Sequence, residues 1–167
     1  MRSSASRIPD LGPAGEGWVA LQFIGIALVV VADQVRLPML LMPGSAAMAA
    51  VALGWALIAA GALLFVSGLL YLWRARSFTA NPRPLLTGRL IRSGPYGVVR
   101  HPVYSGLIFG AFGLALVRLS TPTLVAALLL FVILDLKRRR EEIWLTERFA
   151  EYPEYAAHGK GLIPLVY

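Results

Sequence analysis

Long apolar stretches separated by short polar ones dominate the pattern of this chain. Residues 18–32 are apolar except for Gln22, and the apolar character continues to Pro38 and Pro43. This segment predicts one tilted membrane span that ends at the prolines. Residues 46–73 carry no charge, so they predict a membrane helix longer than the roughly 20 residues that a span needs.

A second pair of apolar segments follows in the other half of the chain. Residues 103–117 and 121–134 are uncharged and are separated by a short segment that begins with Arg118. Together they predict a helical hairpin. The second arm contains no proline or glycine from residue 137 to residue 149, so it is expected to continue into water to about Tyr152.

These segments predict an all-α, polytopic membrane protein with about four transmembrane helices, an extended cytoplasmic C-terminal helix and a lid-like tail. Its single domain comprises two N-terminal spans (18–73), a basic loop (74–102), a helical hairpin (103–136) and a cytoplasmic C-terminal segment (137–167). The loop contains six arginines and no acidic residue, and a second basic cluster begins at Lys137. Basic loops of membrane proteins face the cytoplasm, so both segments and both termini are expected there, at a cell inner membrane or endomembrane.

Composition supports the membrane class. The 167 residues are 57% hydrophobic and 15% charged, with a mean hydropathy of +0.68, and the length suits one domain. The absence of cysteine excludes thiol chemistry, and two histidines are too few for an all-histidine metal site, so no metal centre is expected. We attribute the net charge of +7 to loops facing anionic lipid rather than to nucleic acid. Residues 1–17 lack the apolar core of a signal peptide and are expected to form a short tail.

The residues around His101 are the first group of candidate functional residues. Pro102 is suited to the first turn of a membrane helix, which places His101 at or beside its N-cap, with Tyr104 three residues further on. The free N–H groups at the positive end of such a helix readily hold a carboxylate or phosphate. In the alternative interpretation, His101 only caps the helix and Tyr104 anchors it at the membrane interface.

Two glutamates form a second group of candidate functional residues. Glu141 and Glu142 stand four residues after Lys137 and Arg138, which is the spacing of ion pairs on a solvated helix surface. A functional interpretation requires the two carboxylates to face the basic loop and to orient a substrate there.

The C-terminal tail is amphipathic and aromatic. Residues 149–164 predict either a lid over the same face or a segment whose Tyr152 and Tyr155 lie along the lipid headgroups. His158 is expected to be an exposed surface residue.

The order of these motifs resembles the isoprenylcysteine carboxyl methyltransferase family, whose relatives are the phospholipid N-methyltransferases. The motifs are Gly94-Pro95-Tyr96, Arg100-His101-Pro102-x-Tyr104-x-Gly106, the apolar hairpin, Glu141-Glu142 and a Tyr-x-x-Tyr tail followed by Leu-Ile-Pro164. The resemblance runs from about Thr79 to Pro164, half of the chain.

The resemblance implies an S-adenosylmethionine-dependent methyltransferase whose cofactor pocket lies at the cytoplasmic membrane surface. It also implies contacts to the cofactor from Asn81, Gly88, Arg89, Leu90, Ile91, Tyr96, His101, Pro102, Val103, Tyr104 and Glu142. Glu141 matches a position associated with the acceptor, Lys137 matches one that is usually arginine, and Arg138 is a further candidate to orient an acceptor carboxylate. Gly97-Val98 stands where the family frequently has arginine or tyrosine followed by an aromatic residue.

Methyl transfer from a sulfonium donor needs positioning and desolvation rather than a metal, so the lack of cysteine is no obstacle. The implied partners are a lipophilic methyl acceptor and membrane lipids. A carboxylate acceptor would be oriented by Lys137, Arg138 or Arg139, and an amine acceptor would pass a proton to Glu141 or His101. Two alternatives remain open: an NADPH-dependent sterol or enone reductase, which shares the Arg-His-Pro-x-Tyr signature, and a non-catalytic membrane scaffold.

Overall fold

The computed structural model describes residues 8–34, 44–85 and 88–163, and the secondary-structure elements in this part of the chain are all helices. Pro38, Pro43 and Pro164 lie outside the described residues. The helices are α1 (Glu16–Val31), α2 (Gly44–Arg74), α3 (Pro95–Val98), α4 (Pro102–Arg118), α5 (Thr121–Arg148) and α6 (Tyr152–His158), with a 3₁₀ turn at Ala32–Gln34. The predicted all-α class is confirmed.

Helix α2 is the clearest candidate to cross a membrane. Its 31 residues make it, among the described residues, the one helix that is both long and apolar enough to do so. Helices α1 and α4 are apolar but have only 16 and 17 residues. The prediction of four spans therefore remains a prediction.

The four long helices pack in the order α2, α4, α5 and α1. Glycines allow α2 and α4 to approach closely: a Cβ built on Gly61 would lie 2.7 Å from the carbonyl oxygen of Gly106, and one on Gly106 would lie 2.6 Å from that of Gly61. Gly54 and Gly113, each about two helical turns away from this contact, approach each other in the same reciprocal way. The small residues of α2 serve packing, as the sequence predicts.

The hairpin between α4 and α5 forms where it is predicted. Leu119 takes a left-handed conformation, and the Ser120 hydroxyl caps α5 by accepting from the Thr123 amide. Close by, Arg118 donates to the carbonyl oxygens of Val29 and Val30, both at 3.1 Å. These bonds attach the last turn of α1 to the hairpin, because that turn leaves its carbonyls without helical partners.

Beyond its apolar part, α5 continues beside the basic loop (74–102) and the C-terminal tail that follows it. The helix ends at Arg148, short of the predicted Tyr152, and Tyr152 instead begins the separate helix α6. The tail then returns to the loop, where Val99 and Lys160 form an isolated parallel bridge. The site described next is built where these segments meet.

Candidate active site

A cavity of about 330 Å³ lies between the loop, the tail and the four long helices. Ten of the residues predicted for the site line this cavity: Gly88, Arg89, Leu90, Ile91, Tyr96, His101, Val103, Tyr104, Lys137 and Glu141. They come from segments up to 53 residues apart in the sequence, from Gly88 to Glu141, and the fold brings them to one place.

Four predicted site residues do not line the cavity. The backbone N–H of Asn81 donates to the Thr79 hydroxyl at 3.1 Å, within the loop. Pro102 is buried where α4 begins, close to Gly68 of α2. Arg138 and Glu142 lie behind the cavity wall, where they support His101.

The imidazole of His101 lies between two carboxylates. Its Nε2 is 3.1 Å from Glu142 Oε1, and its Nδ1 is 3.7 Å from Glu141 Oε2. The ring also stacks on Tyr104, with ring centroids 5.5 Å apart and planes 4° from parallel. His101 is the N-cap residue of α4, but its side chain makes no cap hydrogen bond, so the simple capping interpretation is wrong.

Glu142 accepts hydrogen bonds from two arginines. Arg100 Nε, at 3.0 Å, and Arg138 Nη1, at 3.2 Å, both donate to the same Oε1 atom that faces His101. Burial acts to raise the pKa of Glu142, but His101, Arg138 and Arg100 outweigh it and lower this pKa to about 2. The predicted Arg138–Glu142 pair does form, yet the Arg138 side chain is only 8% exposed, so this is not a solvated helix surface.

Glu141 and Lys137 do not form the hydrogen-bonded pair that their spacing predicts. Glu141 Oε2 accepts a hydrogen bond from the Tyr104 hydroxyl at 2.7 Å. Lys137 is 1% exposed, and its Nζ donates to Gln22 Oε1 at 2.6 Å and to the Ala80 carbonyl at 3.1 Å. A buried ammonium needs such acceptors, and here they come from α1 and the loop.

The tail forms one wall of the cavity. Tyr152 and Tyr155 both line it, and the Tyr155 hydroxyl donates to the Tyr96 carbonyl. Burial raises the pKa of Tyr155 to about 12 although the nearby Arg100 acts to lower it, so the hydroxyl keeps its proton. The guanidinium of Arg100 holds the tail by donating to the carbonyls of Ala156, at 3.0 Å, and Gly159. His158 is exposed, as predicted.

Among the lining residues that were not predicted as site residues, Arg100 and Gln22 are two with polar side chains. Arg100 belongs to the Arg-His-Pro-x-Tyr motif, and its position next to His101 in the sequence could have identified it as a site residue. Gln22 is the one polar residue of an otherwise apolar segment, and a polar residue in such a place is a functional candidate by default. Within the described ranges, no group of three histidine, aspartate or glutamate side chains could hold a metal ion.

Comparison with known proteins identifies the family. The phospholipid methyltransferase family model matches residues 46–152, more than half of the chain. The chain therefore belongs to the phospholipid methyltransferase family, a family of membrane methyltransferases. The predicted kinship with membrane methyltransferases is confirmed.

A curated relative is the cobalt-zinc-cadmium resistance protein CzcN of Cupriavidus metallidurans. The two are 34% identical over 76 residues, which cover 45% of this chain and 35% of the relative. The chain thus matches about a third of the length of that protein. No solved structure matches the chain.

Proposed function

We propose that this protein transfers a methyl group from S-adenosylmethionine to a lipophilic acceptor at the cytoplasmic surface of a membrane. One observation carries the proposal: a single cavity is lined by the loop residues 88–91, by His101 and Tyr104, and by the acceptor candidates Glu141 and Lys137. Family membership supports methyl transfer in general.

The residues around the cavity suit this cofactor. A volume of about 330 Å³ falls within the usual range of small-molecule pockets, roughly 300–1,000 Å³. The aromatic rings of Tyr96 and Tyr104 and the carboxylate of Glu141 suit a sulfonium cation, which is drawn to aromatic faces and negative charge. Gly88 and Ile91 bound the loop segment that would hold the remainder of the cofactor.

Bound S-adenosylmethionine would supply an activated methyl group. The protein's own contribution is to hold the acceptor in line and to exclude water. Tyr104 fixes the Glu141 carboxylate through the 2.7 Å hydrogen bond, so Glu141 can accept a proton from an amine acceptor. Lys137 donates hydrogen bonds to Gln22 Oε1 and to the Ala80 carbonyl, so its main role is to join α1, the loop and α5.

We further propose four membrane spans, formed by α1, α2, α4 and the apolar part of α5, with both termini in the cytoplasm. The position of the basic loop and the basic end of α5 together at one end of the helices supports this orientation. Because the chain has no cysteine, single cysteines are clean probes. In sealed vesicles, an impermeant maleimide should label Arg148→Cys and Thr121→Cys from opposite sides; labelling from the same side would contradict the topology.

The cofactor is tested by calorimetry on detergent-purified protein with S-adenosylhomocysteine and, separately, with NADPH. We expect saturable binding of S-adenosylhomocysteine that is lost in His101→Ala, with circular dichroism confirming that the variant is folded. Binding of NADPH alone would move the protein to the reductase class. Binding of neither ligand would favour a scaffold.

A further inference from the structure

The amide of Gln22 is held in one orientation by Lys137. An ammonium group only donates hydrogen bonds, so the side chain of Gln22 must present its carbonyl Oε1 to Lys137 Nζ, as it does at 2.6 Å. The Nε2 group, with two protons to donate, therefore points away from the lysine. In the described part of the chain it donates to no protein atom.

Several apolar side chains line the cavity together with Gln22. Its neighbour Phe23 and, one turn further along α1, Ile26 line the same cavity, and Phe65 and Leu69 of α2 line it as well. This part of the cavity offers an apolar surface with one fixed amide donor. Such a surface suits an apolar chain that ends in a group with a hydrogen-bond-accepting oxygen.

Helix α1 also lies outside the region that the family shares. The family model begins at residue 46, whereas α1 ends at Val31. The predicted cofactor residues 81–104 all fall inside the matched region. Gln22 on α1 is therefore better suited to contact the methyl acceptor, which can differ between members of the family, than to contact the cofactor that they share.

We propose that Gln22 is a specificity-determining residue for the methyl acceptor. Its Nε2 amide donates a hydrogen bond to an oxygen in the polar end of a lipid-tailed acceptor, while Lys137 holds the amide in the required orientation. The inference rests on the proposed methyl transfer and adds to it the chemistry that the acceptor must present. That chemistry is shared by the carboxylate of an isoprenylated cysteine and the phosphate of a phospholipid.

The test compares Gln22→Glu with Gln22→Met in the full-length protein. Glutamate has nearly the same shape as glutamine and keeps an oxygen for Lys137, so α1 stays attached, but it has no proton to donate at neutral pH. Methionine removes both the oxygen and the donor. Val30→Leu, on the exposed outer face of α1, is the matched control.

Methyl transfer from radiolabelled S-adenosylmethionine is measured with two probes, N-acetyl-S-farnesylcysteine and dioleoyl phosphatidylethanolamine. We expect wild type to methylate one of them, and the probe that is methylated identifies the source of the oxygen. Gln22→Glu should raise the KM for that probe about tenfold, while the KM for S-adenosylmethionine stays within about twofold. Val30→Leu should match wild type in both constants.

Different experimental results would contradict this inference and the proposed function. An unchanged acceptor KM in Gln22→Glu, with a defect only in Gln22→Met, would show that Gln22 serves only to anchor Lys137, and the inference would be wrong. Binding of S-adenosylhomocysteine without methylation of either probe would also overturn the inference, because neither proposed acceptor is used. Absence of S-adenosylhomocysteine binding would instead overturn the proposed function itself.

Discussion

His101 Nε2 lies 3.1 Å from Glu142 Oε1, and this contact joins the beginning of α4 to the far end of α5. Arg100 and Arg138 donate to the same oxygen, so one carboxylate orients the imidazole and both guanidinium groups. The other ring nitrogen of His101 is left facing Glu141 on the cavity wall. Glu142 thus acts behind the cavity and Glu141 inside it, although the two are adjacent in sequence.

Removing the Tyr104 hydroxyl should impair turnover without unfolding the protein. Tyr104→Phe and Glu141→Gln each weaken the 2.7 Å hydrogen bond between these side chains. Hydrogen bonds to charged groups contribute about 1.5–3 kcal/mol, so we expect kcat/KM for methyl transfer to fall roughly ten- to a hundredfold.

Tyr71→Phe is the control for this prediction. Tyr71 lies on α2 outside the cavity lining, with its ring against Gly94. Steady-state assays on monodisperse protein provide the measurement. Wild-type kinetics in both Tyr104→Phe and Glu141→Gln would refute the site assignment.

Glu142 should make folding sensitive to acid. Its pKa is lowered to about 2 in the folded protein from an ordinary value of 4.5, so its contribution to stability is complete above pH 4.5 and is lost as the pH falls towards 2. Thermal unfolding in detergent between pH 7 and pH 3 should therefore show a steeper acid loss for wild type than for Glu142→Gln. Parallel curves for the two proteins would contradict the assigned role of Glu142.

The close approach of α2 and α4 should be sensitive to a single methyl group. Gly106→Ala would place its Cβ 2.6 Å from the Gly61 carbonyl oxygen and must push the helices apart, at a cost of about 1–3 kcal/mol. Gly110→Ala on the same helix meets nothing within 4 Å and should be neutral or slightly stabilising. Unfolding midpoints of the two variants measure the difference, and equal midpoints would disprove the predicted contact.

Arg118 should matter for stability but not for catalysis. Its guanidinium donates to the Val29 and Val30 carbonyls, and it does not line the cavity. Arg118→Met should destabilise the protein by about 1 kcal/mol and leave kcat/KM within about twofold of wild type. A large loss of turnover at temperatures where the variant is folded would argue against this separation.

Much of the fold could be predicted because apolar composition and helix signals are local. The uncharged run of residues 46–73 identified α2 to within two residues at its start and one at its end. Pro102 marked the beginning of α4 and so placed His101 at its N-cap. The end of α5 was overestimated, because neither proline nor glycine marks the break between Arg148 and Tyr152.

The site was predicted less completely, for a reason visible at Lys137. Spacing along α5 paired this lysine with Glu141, but its hydrogen-bond acceptors are Gln22 and the Ala80 carbonyl, which lie 115 and 57 residues away in the sequence. A surface lysine finds its partner on its own helix, whereas a buried one needs whichever oxygens the fold brings near. Burial of position 137 could not be inferred from its place in a basic cluster.

The sequence by itself determined the all-helical class, the family of membrane methyltransferases and the residues around His101, because these depend on composition and on motifs within short segments. Only the tertiary structure decided that Glu142 supports His101 from behind the cavity, that Glu141 faces into it, and that Gln22 joins the site. Those distinctions depend on the packing of α1 and α4 against α5, which brings distant polar groups into the same buried space.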